Sequence, residues 1–283
     1  MSLKTINQSK DHSIVLRPVK GWVALHLRDL WNYRELIYFL TWRDIKVRYK
    51  QAVLGIAWAI LQPLLTMVIF SVILGHFLGV PTDGDIPYPV FSFVALLPWN
   101  LFANALQRSS SSLVGSANLL TKIYFPRLVI PISALGAGLV DFGISLIVLF
   151  GLLLFYRVPI TWNVLWLPIF ILFALVTALA LGLWFSALNV QYRDIQHMVP
   201  FIINAWFYAS PVVYSSTVIS DPNWRLVYAL NPMAGVIDGF RWALLGTQSP
   251  SQTLFVSAGV VILLLVSGLY FFKRMERTFA DIV

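Results

Sequence analysis

Residues Phe39–Leu64 read FLTWRDIKVRYKQAVLGIAWAILQPL, and the change of character at Gln51 decides the fold. Five charges fall within the eight residues Arg43–Lys50, and none falls in Gln51–Leu64. A surface helix meeting its core could carry such a step, and so could a helix entering a bilayer. Composition separates the two. Of 283 residues, 59% are hydrophobic and 11% charged, and the mean hydropathy is +0.78. Soluble domains carry about 25% charged residues. A water-soluble fold of this length would leave much apolar surface wet, whereas lipid as the solvent removes that cost. The chain reads as an all-α, polytopic membrane protein.

Charge distribution supports this. Of the 20 Lys and Arg residues, ten lie in the first 50 positions, and the formal net charge is +8. A cytoplasmic N-terminus beside anionic lipid has this asymmetry, and no nucleic-acid-binding motif competes with it. The absence of cysteine excludes disulfides, thiolate metal ligands and a Cys nucleophile. The first long apolar run begins only after about 50 polar or mixed residues, so no cleaved signal peptide is expected. Residues 1–20 read as a tail.

A bilayer-crossing helix needs roughly 20 mostly apolar residues. Six stretches qualify: Val53–Leu78, Val90–Gln107 (interrupted by LLPWN), Leu128–Tyr156, Val164–Val190, the short Met198–Tyr214, and Gln252–Phe272. With the N-terminus inside, 17 Lys and Arg fall on inner segments and only Arg157, Arg225 and Arg241 on outer ones. That bias places both termini in the cytoplasm. Between the fifth and sixth stretches, WRLVYALNPMAGVIDGFRWALLG is too apolar for a solvated loop and too broken for a span. Asn231 and Pro232 supply a helix cap and a first-turn proline. The segment predicts two short helices in or dipping into the outer leaflet; a surface subdomain is the other reading.

No G-x-x-x-x-G-K-[ST], H-E-x-x-H or G-x-S-x-G motif is present. The four histidines are scattered and pair with no carboxylate at ligand spacing, so no catalytic or metal-ligating residue is assigned. Asp141 is the only carboxylate deep inside a predicted span. Such an acid can serve a proton relay, but with no basic partner on another span an interhelical hydrogen bond is favoured. Aromatic rings with polar edges can line a sugar path, and Trp58, Trp206 and Tyr208 are the candidates; an interfacial belt is the alternative. Val114–Tyr124 could form a short amphipathic helix with Leu113, Leu120 and Tyr124 on one side, ended by Pro126. It suits docking on a soluble partner, or is a simple interfacial turn. On a wheel of about 100° per residue, Leu36, Ile37, Leu40 and Val47 share one face and Tyr38, Trp42, Ile45 and Tyr49 the other. Arg43, Lys46 and Lys50 form a basic stripe between them, and Asp44 on the first flank predicts a break near Thr41.

Four blocks, LTWRDIKVRYKQAVLGIAWAILQPLL, IYFPRLVIPISA, YRDIQHMVPFIINAWFYASPVVY and NPMAGVIDGFRWALLG, together resemble the ABC-2 type permeases that export bacterial surface polysaccharides. The similarity runs from Glu35 to Phe272. It implies a six-span half-transporter that pairs with a second copy of itself and with two copies of an ATP-binding cassette subunit. ATP and Mg would be bound there, so this chain would be no enzyme and need no cofactor. The implied cargo is a lipid-linked polysaccharide (O-antigen, capsule or teichoic acid) crossing the inner membrane. Residues 21–50 correspond to an amphipathic interface helix and 51–283 to the transmembrane domain. The resemblance puts a coupling helix at Val114–Arg127 (Asn118, Leu119, Lys122, Tyr124, Phe125, Arg127) and a second ATPase contact at Arg193 and Asp194. It puts an outer gate at Ser215–Gly246, including Asn231, Pro232 and Arg241. Arg43, Lys46, Arg48 and Lys50 would then attract the lipid pyrophosphate. An ion-coupled transporter using Asp141 is the runner-up. A membrane glycosyltransferase is a third reading, for which Asp83, Asp85, Asp221 and Asp238 show no catalytic arrangement.

Overall fold

The computed structural model describes residues 27–50, 55–219, 221–249, 251–276 and 279. The predicted tail (residues 1–20), the start of the interface region (residues 21–26) and the step at residues 51–54 lie outside those residues. The described chain is helical, with no strand among the described residues. In order it forms α1 (Leu27–Asn32), α2 (Arg34–Lys50), α3 (Gly55–Phe70, continued by a π-helical stretch Ser71–Phe77), α4 (Tyr88–Gly115) and α5 (Ala117–Lys122). Then follow α6 (Val129–Phe155), α7 (Leu167–Gln191, entered through a 3₁₀ turn at Trp162–Trp166), α8 (Ile195–Tyr208), α9 (Pro222–Ala229), α10 (Pro232–Leu245) and α11 (Ser251–Met275).

Five segments are long and apolar enough to cross a membrane: Ala57–Phe77, Tyr88–Gly115, Val129–Phe155, Trp162–Gln191 and Leu254–Met275. Six were expected. The fifth expected span, Met198–Tyr214, is replaced by α8, whose 14 residues at 1.5 Å each reach only about 21 Å, against a hydrocarbon core of about 30 Å. Pro211, just beyond it, has no N–H with which to continue a helix. The turn that follows still reaches the first residue of α4, where the Tyr88 hydroxyl donates to the Val213 carbonyl at 2.7 Å. The chain therefore passes from one end of the bundle to the other here with a short helix and a turn. The expected interruption at LLPWN does not occur. Pro98 forgoes one helical hydrogen bond, yet α4 runs unbroken through it because neighbouring helices bury the site.

α4 is the core of the bundle: 78% of its apolar window is buried, against 11% for the α3 segment and 17% for α11. It packs chiefly on α6 and α7. At the α4–α7 crossing, any side chain at Gly182 would collide with the Ser109 side chain, and Asn189 donates to the Ser110 carbonyl at 3.1 Å. Small residues with an embedded polar contact are how helices approach closely in lipid. A second apolar cluster gathers Leu40, Leu113, Leu120, Phe125, Phe272 and Phe279. It brings α2, α5 and the end of α11 to the same end of the bundle, so both ends of the described chain lie there. α9, α10 and the first turn of α4 occupy the opposite end.

Candidate functional site

α2 is continuous from Arg34 to Lys50. The break predicted near Thr41 is absent because Asp44 is neutralised by Arg43, at 2.9 Å, and the Thr41 hydroxyl donates to the Ser133 carbonyl at 3.1 Å. α2 lies against the first half of α6, running in the same direction. Thr41 meets Ser133 and Gly136, and a turn or two later Arg48 and Tyr49 meet Asp141. A Cβ at Gly136 would stand 2.5 Å from the Thr41 methyl, so glycine permits this approach. Arg48 Nη1 lies 2.6 Å from Asp141 Oδ2, and the Tyr49 hydroxyl donates to Asp141 Oδ1. Asp141 thus has a basic partner, which the sequence reading did not find because it comes from α2 rather than from a predicted span. Asp141 sits about 18 Å along α6 from Val129. The Lys50 end of α2 therefore stands level with the middle of α6 rather than flat at its end.

On its other side α2 carries an open groove of about 340 Å³ formed by its own residues Phe39, Trp42, Arg43, Lys46, Val47 and Lys50. Lys46 Nζ lies 5.3 Å from the Trp42 ring centroid, a cation–π contact that holds the ammonium over the groove wall. The structure brings Arg43, Lys46 and Lys50 together here and turns Arg48 away, toward α6. Phe39 and Val47, which complete the walls, carried no sequence signal beyond the helical period.

Trp58 is exposed on α3, and Gln62 and Leu65 share that open side. α8 stands next to α3 through the stacked Phe70 and Phe207 rings, 5.8 Å apart, and exposes Phe201, Asn204 and Tyr208. Trp206 does not join this surface. Its indole N–H donates to Asn231 Oδ1 at 2.9 Å, its ring packs edge-on against Phe102, and it lines a separate cleft of about 390 Å³ with Trp224 and Tyr228.

At the α5 end, Asn118, Lys122, Arg193 and Asp194 are exposed, Leu119 is half-buried and Phe125 is buried. Tyr124 was expected beside Leu113 and Leu120 but is 80% exposed. The helix ends at Lys122 and Ile123 is extended, which swings the next side chain outward. Arg127 points inward: its guanidinium donates to the Glu276 carbonyl and lies over the Phe279 ring.

At the opposite end the two short helices form as predicted, one exposed (α9) and one buried (α10). Asn231 caps α10 by accepting from the Met233 N–H at 3.0 Å, with Pro232 in the first turn. Its amide also donates to the Ala209 carbonyl and to Ser210 Oγ. Arg241, fully buried, donates to the carbonyls of Val212 and Tyr214, both at 3.1 Å, with its guanidinium 3.7 Å from the Phe91 ring centroid. Burial pushes the nearby Asp238 carboxyl up to about 6, while Arg241 and a hydrogen bond with Ser216 pull it back.

Long apolar helices around a buried central one define a polytopic membrane protein. A family model described as "ABC-2 type transporter" matches residues 35–245. The chain belongs to that family. It is 33% identical over 258 residues to the O-antigen export system permease protein RfbA of Myxococcus xanthus, covering 90% of this chain and 98% of that one. It is 29% identical over 251 residues to RfbA of Klebsiella pneumoniae, covering 88% and 95%. With the polysialic acid transport protein KpsM of Escherichia coli it shares 25% identity over 251 residues, covering 83% and 91%.

Proposed function

We propose that this chain is the transmembrane subunit of an ATP-driven exporter that moves a lipid-linked polysaccharide across the bacterial inner membrane. The names of its relatives support the cargo class, and the groove on α2 is the observation that carries the reading. Cations at the depth of Lys46 and Lys50 are expensive against lipid and face a hydrated cavity or a partner. Arg43, Lys46 and Lys50 with aromatic walls suit a diphosphate joined to a sugar: charge-assisted bonds for the first, ring faces for the second.

A second copy pairs through the open face of α3 and α8, where Gln62 and Asn204 present amides that lipid leaves unsatisfied. The glycan passes along Trp58 and Tyr208 between the copies. The exposed Asn118, Lys122 and Tyr124, with Arg193 and Asp194, receive a separate ATP-binding subunit, one for each copy, which holds ATP and Mg. Leu119, Phe125 and Arg127 hold that surface in shape from within. Both termini are cytoplasmic, since the described chain begins and ends beside α5, where basic residues concentrate. The exposed α9, hinged at Asn231 and Pro232 over the staple made by Arg241, is the outer gate. The runner-up, ion coupling at Asp141, has less support because both carboxylate oxygens are engaged.

The test is export by the Arg43→Ala/Lys46→Ala/Lys50→Ala variant. Loss of charge-assisted contacts of about 1.5–3 kcal/mol each lowers export by about tenfold or more while the ATPase subunit still co-purifies. Wild-type export by this variant removes the groove from the account.

A further inference from the structure

Resting on the groove reading above, we propose that Asp141 is a positioning residue: it locks α2 to α6, so that the groove moves with the loop that leaves α5. Three contacts fasten the helices. Near Leu40, Thr41 bonds the Ser133 carbonyl and fills the space left by Gly136. At the far end, Asp141 takes Arg48 on one oxygen and Tyr49 on the other. Arg48 stands about 140° round the helix from Arg43, so holding Arg48 against α6 keeps Arg43, Lys46 and Lys50 on the open side of α2, away from α6. Without the far contact α2 loosens along its whole seam with α6, at Thr41 and Gly136 as well, and the groove no longer follows α6.

α6 also links this lock to the ATPase surface. It begins at Val129, directly after Ile123–Leu128, where buried Phe125 and Leu128 anchor the loop in the α5-end cluster. A push on α5 passes through that loop into α6, and Asp141 delivers it to the groove. The carboxylate acts here through its contacts with Arg48 and Tyr49.

The chain has no cysteine, so a covalent substitute for the lock can be built cleanly. The Thr41 Cβ lies 3.4 Å from a Cβ placed at Gly136, close to the 3.5–4.5 Å of disulfide-bonded pairs, about 3.8 Å on average. Export is measured with the assembled complex in proteoliposomes for Asp141→Asn alone and combined with Thr41→Cys/Gly136→Cys, reduced and oxidised. Asp141→Asn lowers export about tenfold, as expected when a buried charge loses its partner, while the ATPase subunit stays bound. Oxidation of the double-cysteine form then recovers most of the loss. In parallel, the Thr41→Cys/Gly136→Cys pair cross-links more slowly in the Asp141→Asn background, a readout that needs no cargo. Wild-type export by Asp141→Asn overturns the proposal, as does an oxidised form no better than the reduced one, which would assign Asp141 a chemical role. If the groove reading fails instead, the triple alanine variant exports normally while the cross-linking difference persists.

Discussion

Arg48 on α2 and Arg241 on α10 both reach into apolar surroundings, and the molecule holds them differently. Arg241 is fully buried, donates to two backbone carbonyls in the turn after α8 and lies over the Phe91 ring. Arg48 keeps about a third of its side chain exposed and meets a side-chain carboxylate on a neighbouring helix. A guanidinium bonded to backbone fixes the course of the chain, whatever the neighbouring side chains do. One bonded to a single carboxylate joins two rigid bodies at a point that can be made or broken. The α10 end is thereby stapled, and the α2 groove is hung on a joint.

The widest gap between the two regions appears when each staple is cut. Arg241→Ala leaves the Val212 and Tyr214 carbonyls unpaired in the core and destabilises the fold by about 3–5 kcal/mol. Thermal unfolding in detergent should show a large drop in Tm, and an unchanged Tm breaks the comparison. Asn231→Ala removes the α10 cap, worth about 0.5–2 kcal/mol, and frees the Trp206 indole. It should lower Tm less than Arg241→Ala and loosen α9 in hydrogen exchange.

Asp238 offers a pH signature confined to the α10 end. Its carboxyl is raised from an ordinary 3.8 to about 6, so the folded state holds the proton more tightly than the unfolded one. The stability it contributes is full below about pH 4 and is lost as pH rises through about 6. Asp238→Asn removes that decline, so its Tm should vary less than the parent's across this range; an unchanged profile assigns the decline to other groups. The smallest effect belongs to the groove wall. Trp42→Ala removes a cation–π contact of about 0.5–1 kcal/mol and should reduce export a few-fold with Tm unchanged.

Local features of the sequence predicted local structure. Asn231 and Pro232 marked the start of α10 because a cap and a first-turn proline act within one turn. The step at Gln51 marked the membrane class because composition needs no partner. The joint at Asp141 was illegible, since Tyr49 and Asp141 stand 92 residues apart and only packing of α2 along α6 brings them together. The same packing takes Arg48, expected beside Arg43, Lys46 and Lys50 at the head group, to Asp141 instead. The helix at Met198–Tyr214 is shorter than hydropathy suggests, because hydropathy continues through Pro211 although the helix does not. The open aromatics Trp58 and Tyr208 and the bound Trp206 look alike in sequence and separate only when Asn231 is seen to hold the indole.

The central claim, that the α2 groove admits the cargo, is tested most directly by contact. A photoactivatable phenylalanine analogue is placed singly at Phe39, on the groove wall, or at Leu40, buried one position away. The assembled complex is then irradiated with a radiolabelled, lipid-diphosphate-linked oligosaccharide. The account predicts labelled product from position 39 and none from position 40. Equal labelling from both positions, or labelling from position 40 alone, contradicts it.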